Sequence, residues 1–156
     1  MPVVVRALTF PAPPAAVWAL LVDLERQPTW MRDLKSITPS SPGPLDVGFR
    51  AVGRVRMFGV TQEDPIEVTY FEPGRHFGMT HGGAFAGRAD FWLEPLPGGR
   101  RTRVTWREEL RPDARGLGLP AAAAPLLRLL DPLFGPVFEV IFRADLRRLR
   151  ALLISG

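Results

Sequence analysis

The chain has 156 residues, a net charge of +4 and no cysteine, which excludes disulfides and cysteine-ligated zinc. Hydrophobic residues make up 46% of it and aromatic residues 10%, values typical of a globular domain. The basic residues lie near acidic ones instead of in an unbroken run, so we expect no nucleic-acid partner. The length predicts a single domain over residues 1–156. Because the N-terminal sequence does not resemble a secretory leader, we expect the protein to be cytoplasmic.

The first third of the chain predicts one strand and two short helices. A strand is expected over residues 3–10, and the stretch PAPPAAVWALLVDL then indicates a helix, with prolines in its first turn. Its apolar residues recur at helical spacing: Val17, Leu20, Leu21 and Leu24. Pro28 ends this helix, and we expect Trp30 to anchor the second short turn.

From about residue 34 to 111, apolar residues alternate with period two, which predicts antiparallel strands. Clusters of glycine and proline at 42–44, 73–74, 82–83 and 97–99 separate these strands. For the last hairpin, a four-residue loop at Leu96–Gly99 places Phe91 opposite Val104 and Gly87 opposite Glu108 on an apolar face. The same register leaves an unfavourable pair, Arg88 and Arg107, on the other face.

The two histidines lie five positions apart in HFGMTHGGAFAGRADFW. Residues an odd number of positions apart on a strand face opposite ways, so we expect no shared metal site. A three-residue loop, Gly82–Ala84, turns His81 inward beside Phe85, and His76 outward. His81 and Glu108 are then about 12 Å apart at their Cα atoms, too far for a direct hydrogen bond.

Further inward polar candidates lie on the preceding strand, which the alternation predicts to face the interior with Gln62, Asp64 and Tyr70. The candidate catalytic residues are therefore His81, Glu108 and Tyr70. For all three, the alternative is a structural role, because no nucleophile elbow, phosphate loop or metal motif is present. We expect no cofactor.

The last third of the chain predicts an amphipathic helix in PLFGPVFEVIFRADLRRLRALL, with Asp145 inside its apolar stripe and paired with an arginine. Burying this stripe against the sheet gives an α+β architecture, a curved antiparallel sheet of about seven strands gripping the helix. Segment 117–134 is broken by prolines and cannot be one straight helix. We expect this segment to pack in the core, to form a lid over the cavity, or to present a surface that contacts a membrane peripherally or a second subunit of a homodimer. A membrane span is not expected.

Four stretches carry a family resemblance: FPAPPAAVWALLVDLERQPTWM, YFEPGR, FWLEPLPGGRRTRVTWRE and ADLRRLRALL. With the order of elements, they make the chain resemble the START-like superfamily of polyketide cyclases, dehydrases and lipid-transport proteins over nearly its whole length. The resemblance implies a helix-grip fold with an apolar cavity between sheet and last helix. It implies no reaction, because the superfamily shares no catalytic motif.

This reading favours binding or transport of a hydrophobic small molecule, such as a lipid, polyketide or aromatic compound. The first alternative is a polyketide cyclase or dehydratase, and the second is a protein-interaction module that uses the arginine-rich face or segment 117–134. The predicted pocket residues are Tyr70, Met79, His81, Phe85, Gly87, Ala89, Phe91, Val104, Trp106, Glu108, Phe134, Phe138, Ile141 and Phe142.

Overall fold

A computed structural model describes residues 2–155 as one antiparallel sheet with a long C-terminal helix. The strands are β1 (Val3–Phe10), β2 (Leu34–Pro39), β3 (Arg50–Met57), β4 (Val60–Glu72), β5 (His76–His81), β6 (Phe85–Pro95) and β7 (Thr102–Pro112). The helices are α1 (Pro14–Leu21), α2 (Ala124–Ser155) and two 3₁₀ turns, Gln27–Thr29 and Ala121–Ala123. The sheet order is β1-β7-β6-β5-β4-β3-β2. The predicted α+β fold is confirmed.

The core lies between the concave face of the sheet and the apolar side of α2. Trp30 is fully buried and meets Phe91 and Trp106 edge to face, so it anchors the turn after α1 as predicted. From α2, the side chains of Phe138 and Leu149 are fully buried in the same core. Burial of these aromatic and aliphatic groups is what holds the helix in the grip of the sheet.

Helix α2 begins at Ala124, eight residues before the predicted start, and continues through Pro132 and Pro136. A proline inside a helix removes one hydrogen bond per ring, so the two prolines leave two backbone carbonyls without their helical donor. Both prolines are exposed, where water can satisfy those carbonyls. The predicted start at Pro132 was therefore too late, whereas segment 117–134 is not one straight helix, as expected, because residues 117–123 lie outside α2.

Segment 117–134 lies mostly outside the core. Leu127 is buried and Leu117 and Phe134 pack against the core. Exposed leucines make up the rest of its large apolar residues: Leu119, Leu126, Leu129, Leu130 and Leu133. None of the helices described over residues 2–155 has a stretch long and apolar enough to cross a bilayer.

The β6–β7 turn is one residue later than predicted. A hydrogen bond of 2.9 Å from the Leu96 amide to the Arg101 carbonyl closes a loop of four residues, 97–100. Gly98 and Gly99, both with positive φ, occupy its centre. Each cross-strand partner therefore moves by two residues, and Gly87 pairs with Leu110 instead of Glu108. A shift of two preserves the faces.

The same shift changes the outer face of this hairpin. Arg88 pairs with Glu109, and Asp90 with Arg107, so the predicted unfavourable arginine pair does not form. In the preceding hairpin, His81 pairs with Gly87 instead of Phe85. The turn at Gly82 is drawn toward β4, because its amide donates to the Pro65 carbonyl at 3.0 Å.

Candidate functional site

A cavity of about 130 Å³ lies between the concave face of the sheet, α2 and the turn after α1. Most of its wall is apolar. The predicted pocket residues on this wall are Met79, His81, Phe85, Ala89, Phe91, Trp106, Glu108, Phe138, Ile141 and Phe142. Period-two alternation explains the strand residues among them, because Ala89 and Phe91 face the same side as their partners Met79 and Phe77.

The aromatic residues leave the cavity open while forming part of its wall. The rings of Phe91 and Trp106 stack at 4.9 Å between centroids, and Trp106 meets Phe142 at 4.3 Å. Phe138 is fully buried and contacts Phe85 and Phe142. The remaining space is close to that of an engineered apolar cavity of about 150 Å³ that binds benzene.

Four predicted pocket residues do not line the cavity. Val104 is fully buried in the core, and Phe134 packs behind Phe85 with ring centroids 5.2 Å apart. Gly87 is tight against β7, since a Cβ there would lie 1.7 Å from the Glu109 carbonyl oxygen. Tyr70 lies on the opposite face of the sheet.

A β-bulge explains the position of Tyr70. In β4, Val68 pairs with Met79 and Tyr70 pairs with Gly78, so Thr69 is an extra residue. The residues before the bulge face inward as predicted, and Gln62 and Asp64 line the cavity. Tyr70 is instead 43% exposed and stacks on His76 at 4.1 Å. It therefore takes no part in the cavity.

His76 faces outward as expected. Its ring is stacked between Tyr70 and Trp92, and its Nε2 lies 2.7 Å from Asp90 Oδ1. Arg88 donates two hydrogen bonds to the same carboxylate. The two histidines therefore belong to separate clusters on opposite faces of the sheet.

His81 and Glu108 contact each other directly, contrary to the sequence-based expectation. His81 Nε2 lies 2.6 Å from Glu108 Oε1, and the two side chains form an ion pair. Both side chains point into a concave surface and converge there. On β6 between them lie Gly87, which has no side chain, and Ala89, whose methyl group leaves room for the contact.

Two further groups fix this pair. The Trp106 indole N–H donates to Glu108 Oε2 at 2.6 Å, so both oxygens of the buried carboxylate are occupied. On the other side of the imidazole, Asp64 Oδ2 lies 3.9 Å from His81 Nδ1. Asp64 is itself held by the Gly82 amide, which donates to Oδ1 at 2.7 Å.

The surrounding carboxylates determine the charge of His81. Burial by itself lowers the pKa of the imidazole, but Glu108 and Asp64 together raise it to about 9. Burial raises the pKa of Asp64 to about 6, against the opposing effect of His81. At neutral pH His81 is therefore an imidazolium, and it lies between the side chains of Glu108 and Asp64.

A second polar group lies on the part of the cavity wall that is formed by α2 and by the segment after the 3₁₀ turn Gln27–Thr29. Asp145 is 3% exposed and accepts hydrogen bonds at Oδ1 from the Arg32 amide, at 3.3 Å, and from Arg148, at 2.8 Å. The predicted pairing of Asp145 with an arginine is therefore present. Burial raises the pKa of Asp145 to about 6, although Arg32 and Arg148 lower it.

The sequence analysis missed several wall residues from the front half of the chain: Gln27, Met31, Asp33, Leu34, Val55, Met57 and Ile66. Gln27 is 2% exposed, and its amide nitrogen donates to the Leu21 carbonyl at 3.1 Å. No periodic pattern marks residues 27–34, because they form a turn and a loop. The available signal was Gln27, a polar residue three positions before Trp30, the residue predicted to anchor the turn.

Within residues 2–155, no group of three or more histidine, aspartate and glutamate side chains is arranged to hold a metal ion. The cavity can enclose an apolar group of about one ring. Its polar groups can accept hydrogen bonds, and the His81 imidazolium can donate a proton.

Comparison with known proteins agrees with this geometry. The model of the family "Polyketide cyclase / dehydrase and lipid transport" matches residues 1–153. No curated protein matches the chain.

Solved structures share the fold at low sequence identity. A START superfamily protein from Mycobacterium smegmatis is 15% identical, with 92% of this chain and 97% of that chain covered, at a TM-score of 0.62. The Zhui aromatase/cyclase from Streptomyces sp. R1128 is 16% identical, with coverage of 96% and 91% and a TM-score of 0.69. A conserved protein from Geobacillus kaustophilus is 14% identical, with coverage of 97% and 94% and a TM-score of 0.69. Since the family model spans nearly the whole chain, the chain belongs to the polyketide cyclase/dehydrase and lipid transport family.

Proposed function

We propose that the protein binds a hydrophobic small molecule of about one aromatic ring in the cavity between the sheet and α2. The observation that carries this proposal is the cavity itself, about 130 Å³ of space with a mostly apolar wall. Removing apolar surface from water provides the driving force, and the few polar groups orient the ligand. A multi-ring polyketide or a long acyl chain needs more space than this.

Filling the cavity tests the proposal. Ala89 lies on β6 between Met79 and Glu108, and its side chain faces the cavity. We expect Ala89→Leu to reduce toluene affinity at least tenfold in calorimetric titration, because the added side chain occupies the space. Ala7→Leu is the matched control, since Ala7 is exposed on β1.

The folded state of each variant is checked by near-ultraviolet circular dichroism, and Ala89→Val supplies a smaller step if leucine overfills the site. Folded Ala89→Leu protein that binds toluene as tightly as the parent would contradict the proposal. So would a parent protein that binds no single-ring compound.

A second candidate function is acid–base catalysis on a bound substrate. The specific observation that favours it is the contact between His81 and Glu108 at the cavity wall, with Asp64 on the other side of the imidazole. A protonated imidazole in this position can donate a proton to a leaving hydroxyl group. If turnover of a cyclisation or dehydration substrate survives both Glu108→Gln and His81→Ala, this candidate is wrong.

A further inference from the structure

The polar groups of the cavity wall are mostly hydrogen-bond acceptors. Four of its residues carry carboxyl groups: Asp33, Asp64, Glu108 and Asp145. His81 is the only basic residue on the wall, and Glu108 compensates its charge at 2.6 Å. Neither Arg32 nor Arg148 belongs to the wall. An anionic ligand would therefore meet carboxylates in a poorly solvated space, where repulsion between like charges is strong.

The acceptors at the α2 end of the cavity have capacity left for a ligand. Both hydrogen bonds to Asp145 go to Oδ1, and Oδ2 receives none from the described residues. This carboxylate is almost fully buried and belongs to the cavity wall. A hydrogen bond from a ligand donor to this oxygen would form in a poorly solvated space, where it gains more than it would in water.

Two neighbours add to this acceptor-rich end. The half-buried Asp33 is close enough for its charge to raise the pKa of Asp145, and its side chain forms no hydrogen bond or ion pair within residues 2–155. The amide nitrogen of Gln27 donates to the Leu21 carbonyl, so its amide oxygen is the group that can accept a hydrogen bond from a ligand. All three side chains thus present oxygen acceptors to the cavity.

The His81 end of the cavity differs in this respect. Glu108 has the Trp106 indole on one oxygen and His81 at the other, and Asp64 has the Gly82 amide. A ligand donor therefore finds free acceptors at the α2 end and occupied ones at the His81 end. This difference between the two ends would orient a ligand, with its hydrogen-bond donor toward α2.

We propose that the cavity selects single-ring compounds that carry a hydrogen-bond donor, a protonated amine or a phenolic hydroxyl, directed at Asp145 and Asp33, and that it rejects carboxylates. The inference rests on the proposed binding function and adds the chemical class of the ligand. The apolar wall takes the ring, and the donor forms a charge-assisted hydrogen bond to the free carboxylate oxygen.

The test compares four ligands of one ring each: toluene, phenol, benzylamine and benzoate, titrated into the full chain at neutral pH. We expect phenol and benzylamine to bind at least tenfold more tightly than toluene, and benzoate at least tenfold more weakly. Asp145→Asn should remove most of the preference for benzylamine over toluene while toluene affinity stays within about twofold. Glu94→Gln, on the exposed end of β6, is the matched control and should keep the preference.

Asp33→Asn provides a second variant if Asp145→Asn does not fold, because Asp33 has no side-chain hydrogen bond to lose. It should also reduce the preference for benzylamine. Equal binding of all four ligands, or tightest binding of benzoate, would overturn the inference and leave ring binding intact. If neither toluene nor any of the other three binds, the proposed function fails and the inference falls with it.

Discussion

The imidazole of His81 is held in its charged form by the carboxyl groups that face it. With a pKa of about 9 in the folded chain and an ordinary value of 6.5, His81 binds its proton more tightly when the protein is folded. At about 1.36 kcal/mol per pKa unit, this difference is on the order of 3 kcal/mol of stability. The contribution is fully present below about pH 6.5, because both states are then protonated.

We therefore expect the free energy of unfolding to fall as the pH rises from 6.5 to 9, since the folded state retains the proton that the unfolded state has lost. Urea denaturation at half-unit pH intervals measures this slope. In His81→Gln the fall should disappear, whereas His76→Gln, which changes the outer-face histidine, should keep it. A His81→Gln protein with the parent's slope would contradict the assignment.

The contact between the side chains of His81 and Glu108 could not be predicted from strand register alone. The strand geometry places their Cα atoms about 12 Å apart, and that estimate says nothing of how far two long side chains reach over a concave surface. On β6, the residue opposite Glu108 is Ala89, whose methyl group is small enough to leave room for the contact. Period two did fix which face each residue occupies, and it placed both residues on the correct one.

At the scale of single elements, α2 is a helix with two prolines in its interior. Pro132 and Pro136 are exposed and lie inside the helix, where proline costs about 3 kcal/mol relative to alanine. We expect Pro132→Ala and Pro136→Ala each to raise the free energy of unfolding by about 1–3 kcal/mol. Chemical denaturation measures the gain.

Pro125 is the matched control for these variants. It lies in the first turn of α2, where a proline loses no helical hydrogen bond, so Pro125→Ala should change stability little. Destabilisation by either interior substitution would show that the prolines shape the helix for packing. The helix was predicted to start late because proline was given the weight of a helix breaker, although both rings lie on the exposed side of α2.

The hairpins show which features of a sheet follow from sequence and which do not. The Gly98–Gly99 pair marked the β6–β7 turn, but whether it occupies the centre or the end of the loop decides the partner of every residue in two strands. At the β5–β6 turn, contacts with Pro65 and Asp64 on a third strand set the geometry. Such contacts are tertiary and have no local signal.

At the scale of the whole molecule, aromatic side chains limit the size of the ligand. Phe142 lies on the cavity wall against Trp106 and Phe138. We expect Phe142→Ala to lower the free energy of unfolding by about 3–5 kcal/mol and to enlarge the cavity, because a core rarely collapses fully around a missing ring. Calorimetric titration should then show tighter binding of naphthalene than in the parent protein.

Phe10→Ala distinguishes enlargement from general loosening. Phe10 is fully buried but lies outside the cavity wall, so its removal should cost similar stability without changing the preferred ligand size. If both variants gain naphthalene binding equally, the cavity wall does not set the size limit. The helix-grip fold predicted a cavity, but its volume depends on ring packing that sequence periodicity does not encode.

The bulge at Thr69 lets β4 tolerate a change in its length. Val68 already pairs with Met79 and Tyr70 with Gly78, so deleting Thr69 would leave a regular strand with the same partners. The phenol ring would stay on the outer face beside His76, and Gln62 and Asp64 would keep their places on the cavity wall. An in-frame loss of this one codon should therefore spare the binding site, so evolution can shorten the strand here at little cost to the scaffold.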